Sequence, residues 1–189
     1  FMKVALILGS IREGRKTHHV AQYIHDLLAA QSGIESELID IRDYEIPLYT
    51  RKWEKEEEPE GDLVRISQKL QEAEAMIFIS PEYHGSYTGV LKNAIDHYWG
   101  EFKRKPIGVI ATGAGPMGGI NASVEMQQLI LSLGAFAMPQ KLIVPFVQKS
   151  FEDNGIPKEE KFVEQAQKFV SEFTWFAEAI TMAKKRVIG

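Results

Sequence analysis

Three short stretches concentrate residue types that do chemistry. Gly9-Ser10-Ile11-Arg12-Glu13-Gly14-Arg15-Lys16-Thr17 sets two hydroxyls and two guanidinium forks beside two glycines. Glycine lets a backbone come close to a ligand, and arginine forks match phosphate oxygens. Placed before a helix, the same stretch adds free backbone N–H groups that favour an anion. Ser80-Pro81-Glu82-Tyr83-His84-Gly85-Ser86-Tyr87-Thr88-Gly89 brings Tyr83, His84 and Tyr87 together, with Pro81 limiting the shape of the turn. Such rings pack against a planar heterocycle, while main-chain donors and acceptors reach its polar edge. Thr112-Gly113-Ala114-Gly115-Pro116-Met117-Gly118-Gly119 clears space with glycines, exposes N–H groups to a flat ligand edge and offers the Thr112 hydroxyl. A phosphate at one loop and a flat ring at the next describe a mononucleotide.

Two motif matches fail on inspection. Gly9 and Gly14 have nucleotide P-loop spacing, but Arg15 intrudes before Lys16-Thr17. A one-residue slip turns both side chains by about 100° on a helix, away from triphosphate and magnesium. Gly113, Gly115 and Gly118 match the dinucleotide pattern G-x-G-x-x-G in a strand-to-helix context. That pattern needs an acid about 20 residues on for the ribose, or an arginine for a phosphorylated cofactor. Residues 131–139 read LSLGAFAMP and hold neither.

The elements that must position these loops alternate. Strands are expected at Lys3–Leu8, Ile34–Ile41, Ala75–Ile79, Ile107–Ala111 and Phe136–Val144. The first and third are nearly continuous apolar runs, as in strands covered on both faces. The second alternates polar and apolar residues, which places it nearer an edge. Helices are expected at Thr17–Ala30, Leu63–Glu72, Gly89–Trp99, Ile120–Leu133 and Glu159–Ala183, the last either continuous or broken. Five strands each followed by a helix predict a flavodoxin-like, doubly wound, five-stranded parallel sheet in three α/β/α layers. Ligands of such sheets sit beyond the carboxyl ends of the strands, where all three loops lie. That mononucleotide is then flavin mononucleotide (FMN), which such folds hold there.

The 189 residues suit a single domain spanning 1–189. Twenty-two basic against 26 acidic residues leave a net charge of −4, against a general nucleic-acid binder. Cysteine is absent, which excludes disulfides, thiol nucleophiles and thiolate metal sites. No catalytic side chain and no metal site are expected. The early apolar run Val4–Leu8 is too short for an export signal or a membrane span, so a cytoplasmic protein is expected. Arg51–Gly61, RKWEKEEEPEG, reads as a solvated connecting loop; the second reading is a movable lip with Trp53 as its apolar contact.

Taken together, the loops resemble those of the NADPH-dependent FMN reductase family, a flavodoxin-like group that includes quinone, azo-dye and chromate reductases. Gly9-Ser10-x-Arg12-x-Gly14-Arg15 is similar to its phosphate motif. Pro81-Glu82-Tyr83-x-Gly85-Ser86, followed by Gly89-x-Leu91-Lys92-Asn93-Ala94-Ile95-Asp96, is similar to its isoalloxazine motif. Gly113, Gly115, Gly118 and Gly119 resemble its third, flavin-edge loop, and the likeness spans residues 3–145. The resemblance implies that Ser10, Arg12, Arg15 and Thr17 surround the FMN phosphate. Pro81, Glu82, Tyr83, His84 and Gly85 would border the ring, largely through main chain, with Ser86 a further contact. Many relatives carry asparagine where this chain has His84. Lys92, Asn93 and Asp96 would brace the loop or a neighbouring subunit.

The implied activity transfers hydride from NADPH or NADH to bound FMN. Two electrons then pass to a quinone, azo compound, free flavin or similar small aromatic acceptor. Backbone N–H groups of Gly113–Gly115 are candidates to stabilise charge on the reduced ring. Relatives are usually homodimers or homotetramers; Tyr98, Trp99, Phe102 and Met126 suit such contacts and equally suit a core. Two alternatives are a flavodoxin-type carrier of single electrons and a non-catalytic FMN-binding interaction module.

Overall fold

A computed structural model describes residues 1–53 and 61–188. The acidic run Glu54–Glu60, to which the lip reading was attached, lies outside the described residues. The strands are β1 (Met2–Leu8), β2 (Ile34–Asp40), β3 (Ala75–Pro81), β4 (Pro106–Thr112) and β5 (Phe136–Val144). The helices are α1 (Thr17–Ala29), α2 (Asp62–Glu72), α3 (Gly89–Asp96), α4 (Ile120–Ser132) and α5 (Glu160–Ile188). All strand pairs are parallel, in the order β2-β1-β3-β4-β5, the expected flavodoxin-like arrangement.

The burial of each strand follows its place in that order. β3 and β4, central and covered on both faces, are buried at every residue, whereas edge strand β2 alternates. Side chains of β1 divide by parity. Leu6 and Leu8 join Val20, Ile24 and Leu28 of α1 and Phe169 and Phe173 of α5. Ala5 and Ile7 join Ile66 and Leu70 of α2, Leu91 and Ile95 of α3, and Met126 and Ile130 of α4. These two cores make the three layers, at about 1.5–3 kcal/mol for each large apolar side chain buried.

The other edge carries an irregularity with a clear cause. The β4·β5 register shifts between Ile107 and Val109, and β5 holds Pro139 in that interval. Proline has no N–H for a ladder, so it is confined to edges and bulges. At the same level Gly108 lies under α5, where an added Cβ would meet the Phe173 ring at 3.0 Å. Of the two forms open to the terminal helix, the continuous one is found: α5 runs 29 residues, fastened by Phe162, Ala166, Phe169, Val170, Phe173 and Ala177 on one stripe.

Three of the four proposed subunit-contact residues, Tyr98, Phe102 and Met126, are core; Trp99 is 72% exposed. Trp53 is fastened rather than loose. Its Nε1 donates to the His97 carbonyl at 2.8 Å, and its ring meets Tyr98 edge-on.

Candidate functional site

The first loop leaves β1 at Gly9, whose N–H donates to the Ile79 carbonyl at 2.8 Å and ties the loop to β3. A Cβ on Gly9 would lie 2.6 Å from that of Leu91, so only glycine lets the loop cross α3 this closely. The backbone N–H groups of Ser10, Ile11, Arg12, Glu13 and Gly14 donate to no acceptor among the described residues. Nor is the start of α1 capped by a side chain at Lys16. Ser10 is 1% exposed, and its Oγ has no hydrogen-bond partner. A buried hydroxyl without a partner is costly. Here it lies in a loop of free donors, the arrangement a phosphate oxygen completes. The Arg12 side chain is exposed and makes no ion pair or hydrogen bond among the described residues.

Arg15 and Thr17 take other first partners. The Arg15 guanidinium grips the Asp40 carboxylate with both terminal nitrogens, one at 2.7 Å, and also donates to the Ser10 carbonyl. Thr17 and Thr112 are both buried, with their hydroxyl oxygens 2.8 Å apart. They join the start of α1 to the end of β4 instead of opening into the loop. Burial, and then the nearby Arg15 charge, push the His18 imidazole below its usual pKa.

The second loop is held from both sides. Thr88 caps α3 by accepting from Leu91 N–H, and its Oγ1 donates to the Gly9 carbonyl at 2.6 Å. Ser80 Oγ accepts from Thr88 N–H at 3.0 Å and donates to the Pro81 carbonyl at 2.9 Å. Between these straps, Tyr83 and Ser86 exchange N–H···O bonds of 2.9 and 3.1 Å. His84 (φ 52°) and Gly85 (φ 79°) form the tip. Positive φ at both central residues is the signature of a type I′ turn, where asparagine is favoured first and glycine second. Histidine is among the few residues that enter this region readily, so His84 fits the first central position of such a turn. Tyr83 stands beside it, 40% exposed.

Side chains of this loop face α4. The Glu82 carboxylate accepts from Ala122 N–H at 3.0 Å and from Asn121 Nδ2 at 3.3 Å. It supplies an acceptor and a negative charge to a helix start whose own cap residue, Gly119, has no side chain. Ser86 Oγ donates to Glu125. Pro81 has no N–H, and the N–H groups of Glu82 and Tyr83 donate to the Thr112 and Ser86 carbonyls at 2.9 Å, so among residues 81–85 the N–H groups of His84 and Gly85 are those that donate to no acceptor among the described residues. Lys92 pairs with Asp96 on α3 at 2.7 Å. Asn93 braces the segment before Trp53, donating to the Pro47 carbonyl at 2.9 Å and accepting from Tyr49 N–H at 2.8 Å.

The third loop corrects one expectation. The Gly113 N–H is not available to a ligand, because it donates to the Val144 carbonyl at 3.0 Å. Gly113 is also pressed against Gly119, where a Cβ would come within 2.9 Å of the Gly119 nitrogen. Within Gly113–Gly115, the N–H groups that donate to no acceptor among the described residues are those of Ala114 and Gly115, and the space at Gly115 is open.

Asp40 and Glu125 escaped the sequence reading, and Ser80 and Thr88 were named in the second stretch without a role of their own. Thr88, a threonine directly before a helix, carried a readable capping signal. Asp40 carried a weaker one, an acid closing an edge strand on the carboxyl side of the sheet. Beside the second loop, a cavity of about 670 Å³ runs between α3 and α4, lined by Tyr49, Tyr87, Lys92, Asp96, Trp99 and Leu129 among others. Among the described residues no helix is long and apolar enough to cross a membrane.

Residues 2–149 match the family model described as NADPH-dependent FMN reductase. The chain is 33% identical over 147 residues to an NADPH azoreductase of Bacillus sp. (strain OY1-2), covering 76% of each. It is 31% identical over 159 residues to a quinone reductase of Pseudomonas putida (strain KT2440), covering 80% of this chain and 82% of that one. The solved structure of the flavoenzyme NAD(P)H:(acceptor) oxidoreductase FerB from Paracoccus denitrificans superimposes with a TM-score of 0.77 at 27% identity, over 95% of this chain and 98% of the other.

Proposed function

The chain belongs to the NADPH-dependent FMN reductase family, and from that premise we propose which of its residues carry the activity of an FMN-dependent NAD(P)H oxidoreductase. When bound, FMN supplies the redox chemistry, taking a hydride from NADPH or NADH and passing two electrons to a quinone, azo compound or flavin. The protein supplies binding, orientation and a fixed field of donors.

The observation that carries the assignment is the Ser10 hydroxyl, buried and unpartnered inside a loop of free N–H groups. A phosphate monoester would supply the acceptors that this hydroxyl and its neighbouring N–H groups lack, and the exposed Arg12 adds a charged fork. Thr17, Thr112 and Arg15 hold the loop in shape. Residues 81–85 would border the ring, with the N–H groups of His84 and Gly85 as the main-chain donors left to it, Tyr83 at the rim and Glu82 fixing the loop to α4. The N–H groups of Ala114 and Gly115 would be the donors for the ring's polar edge. No side-chain nucleophile is required.

We further propose that Trp99 joins a subunit contact in a homodimer or homotetramer. It is the one large apolar residue of the four candidates left in solvent, at the edge of the α3–α4 cavity.

An anaerobic absorbance titration tests the assignment. FMN-loaded protein should bleach with NADPH or NADH, without an accumulating semiquinone, and recover on adding benzoquinone. Stable FMN that neither donor bleaches would favour a carrier or a binding module. Failure to bind FMN would overturn the reading of all three loops.

A further inference from the structure

Parallel register sets the C-terminal residue of β2, Asp40, opposite Leu8 of β1, one residue before the first loop begins. The Asp40 carboxylate receives both terminal nitrogens of Arg15, and the two side chains are only 14% and 10% exposed. The same guanidinium donates to the Ser10 carbonyl. A two-pronged, largely desolvated pair is far more directional than an exposed ion pair. Asp40 itself is held from behind by Arg42 N–H, which donates to its Oδ1 at 3.1 Å. A chain of contacts therefore runs from the β2 edge, through Arg15, to the peptide that joins Ser10 to Ile11.

That peptide is the one that matters for an anion. In a trans peptide the C=O and the following N–H point in opposite directions. Fixing the Ser10 carbonyl on Arg15 therefore fixes the Ile11 N–H on the other side, where it donates to no acceptor among the described residues. The Ser10 side chain, with its orphaned Oγ, is held on the same unit. The pair also leaves Arg15 largely neutralised, so Arg12 remains as the loop's uncommitted fork.

We infer that Asp40 is a positioning residue for phosphate recognition, acting through Arg15 on the Ser10–Ile11 peptide. The inference rests on the reading of this loop as the FMN phosphate site. It assigns Arg15 as a strut of the loop and Asp40 as the anchor of that strut.

Riboflavin, which has the same ring and no phosphate, separates this role from general damage. Apoprotein is titrated with FMN and with riboflavin, following flavin fluorescence. Asp40→Ala should raise the FMN Kd about tenfold, the scale of losing a charge-assisted pair. The riboflavin Kd should stay within about twofold. In an Arg15→Ala background, Asp40→Ala should add no further loss, since the strut is already gone. Asp40→Asn retains one acceptor and should fall between wild type and Asp40→Ala; it also serves if the alanine variant does not fold. Unchanged or tighter FMN binding in Asp40→Ala overturns the inference, as does an equal loss for riboflavin. Wild-type protein that binds neither flavin overturns the FMN assignment itself, a different outcome from wild-type FMN binding that Asp40 substitutions leave untouched.

Discussion

Thr17 and Thr112, 95 residues apart in sequence, share a hydrogen bond of 2.8 Å between buried hydroxyls. One hydroxyl starts α1 and the other ends β4, so the first and third loops meet through this bond. Removing one partner leaves the other buried and unsatisfied, at a cost of about 1–3 kcal/mol. Thr17→Val and Thr112→Val should each lower the melting temperature by roughly 2–4 °C per kcal/mol. The double valine variant should regain much of the loss, because an apolar pair needs no partner. Thermal denaturation of the four proteins checks this; two additive losses would contradict it.

Arg12 differs from Arg15 in being exposed and uncommitted. Arg12→Ala should weaken FMN binding by about 10- to 100-fold, as for loss of a charged hydrogen bond. Riboflavin binding should be spared. Equilibrium titration with both flavins provides the measurement, and an unchanged FMN Kd would remove Arg12 from the phosphate site.

His84 occupies the left-handed region with φ 52° at the tip of the second loop. A β-branched residue is strongly disfavoured there. His84→Val should therefore destabilise the protein by about 1–2 kcal/mol, whereas His84→Asn should remain within about 0.5 kcal/mol of wild type. Urea unfolding midpoints distinguish the two. Equal losses would mean that the imidazole, not the backbone, decides the position.

Lys105 gives a pH dependence whose sign can be worked out. Its Nζ donates to the Leu70 and Gln71 carbonyls at the end of α2, at 2.5 and 3.2 Å. Burial, reinforced by the charge of Lys184, lowers its pKa from 10.5 to about 8. Below pH 8 both folded and unfolded chains carry the proton, and the folded chain bears the cost of a buried charge. Between about 8 and 10.5 the unfolded chain binds more protons, so this group makes stability rise with pH across that window. Lys105→Met removes that contribution. The stability of the variant relative to wild type should be more favourable at pH 7.5 than at pH 10, measured by urea unfolding at both values.

Much of this protein was legible in its sequence because the relevant signals are local. Val4–Leu8 and Ala75–Ile79 read as central strands since continuous apolar runs suit only strands covered on both faces. The loops stood out because glycine, serine, arginine and aromatic residues clustered at the carboxyl ends of those runs. Periodicity could not separate Trp99 from Tyr98, Phe102 and Met126, because an apolar residue suits a core or an interface equally until packing decides. The open space at Gly115 and the crowding at Gly113 were equally hidden behind one glycine motif.

Sequence by itself determined the order of elements, the parallel sheet and which three loops gather at its carboxyl edge, since these follow from apolar patterning and right-handed crossovers. Tertiary structure alone decided which polar groups remain free. Asp40 reaches Arg15 because β2 and β1 pair in one register, and Thr17 reaches Thr112 because α1 begins beside the end of β4. Hydrogen bonds act over about 3 Å. A chain therefore names its donors and acceptors, and only the packed fold brings particular pairs within reach.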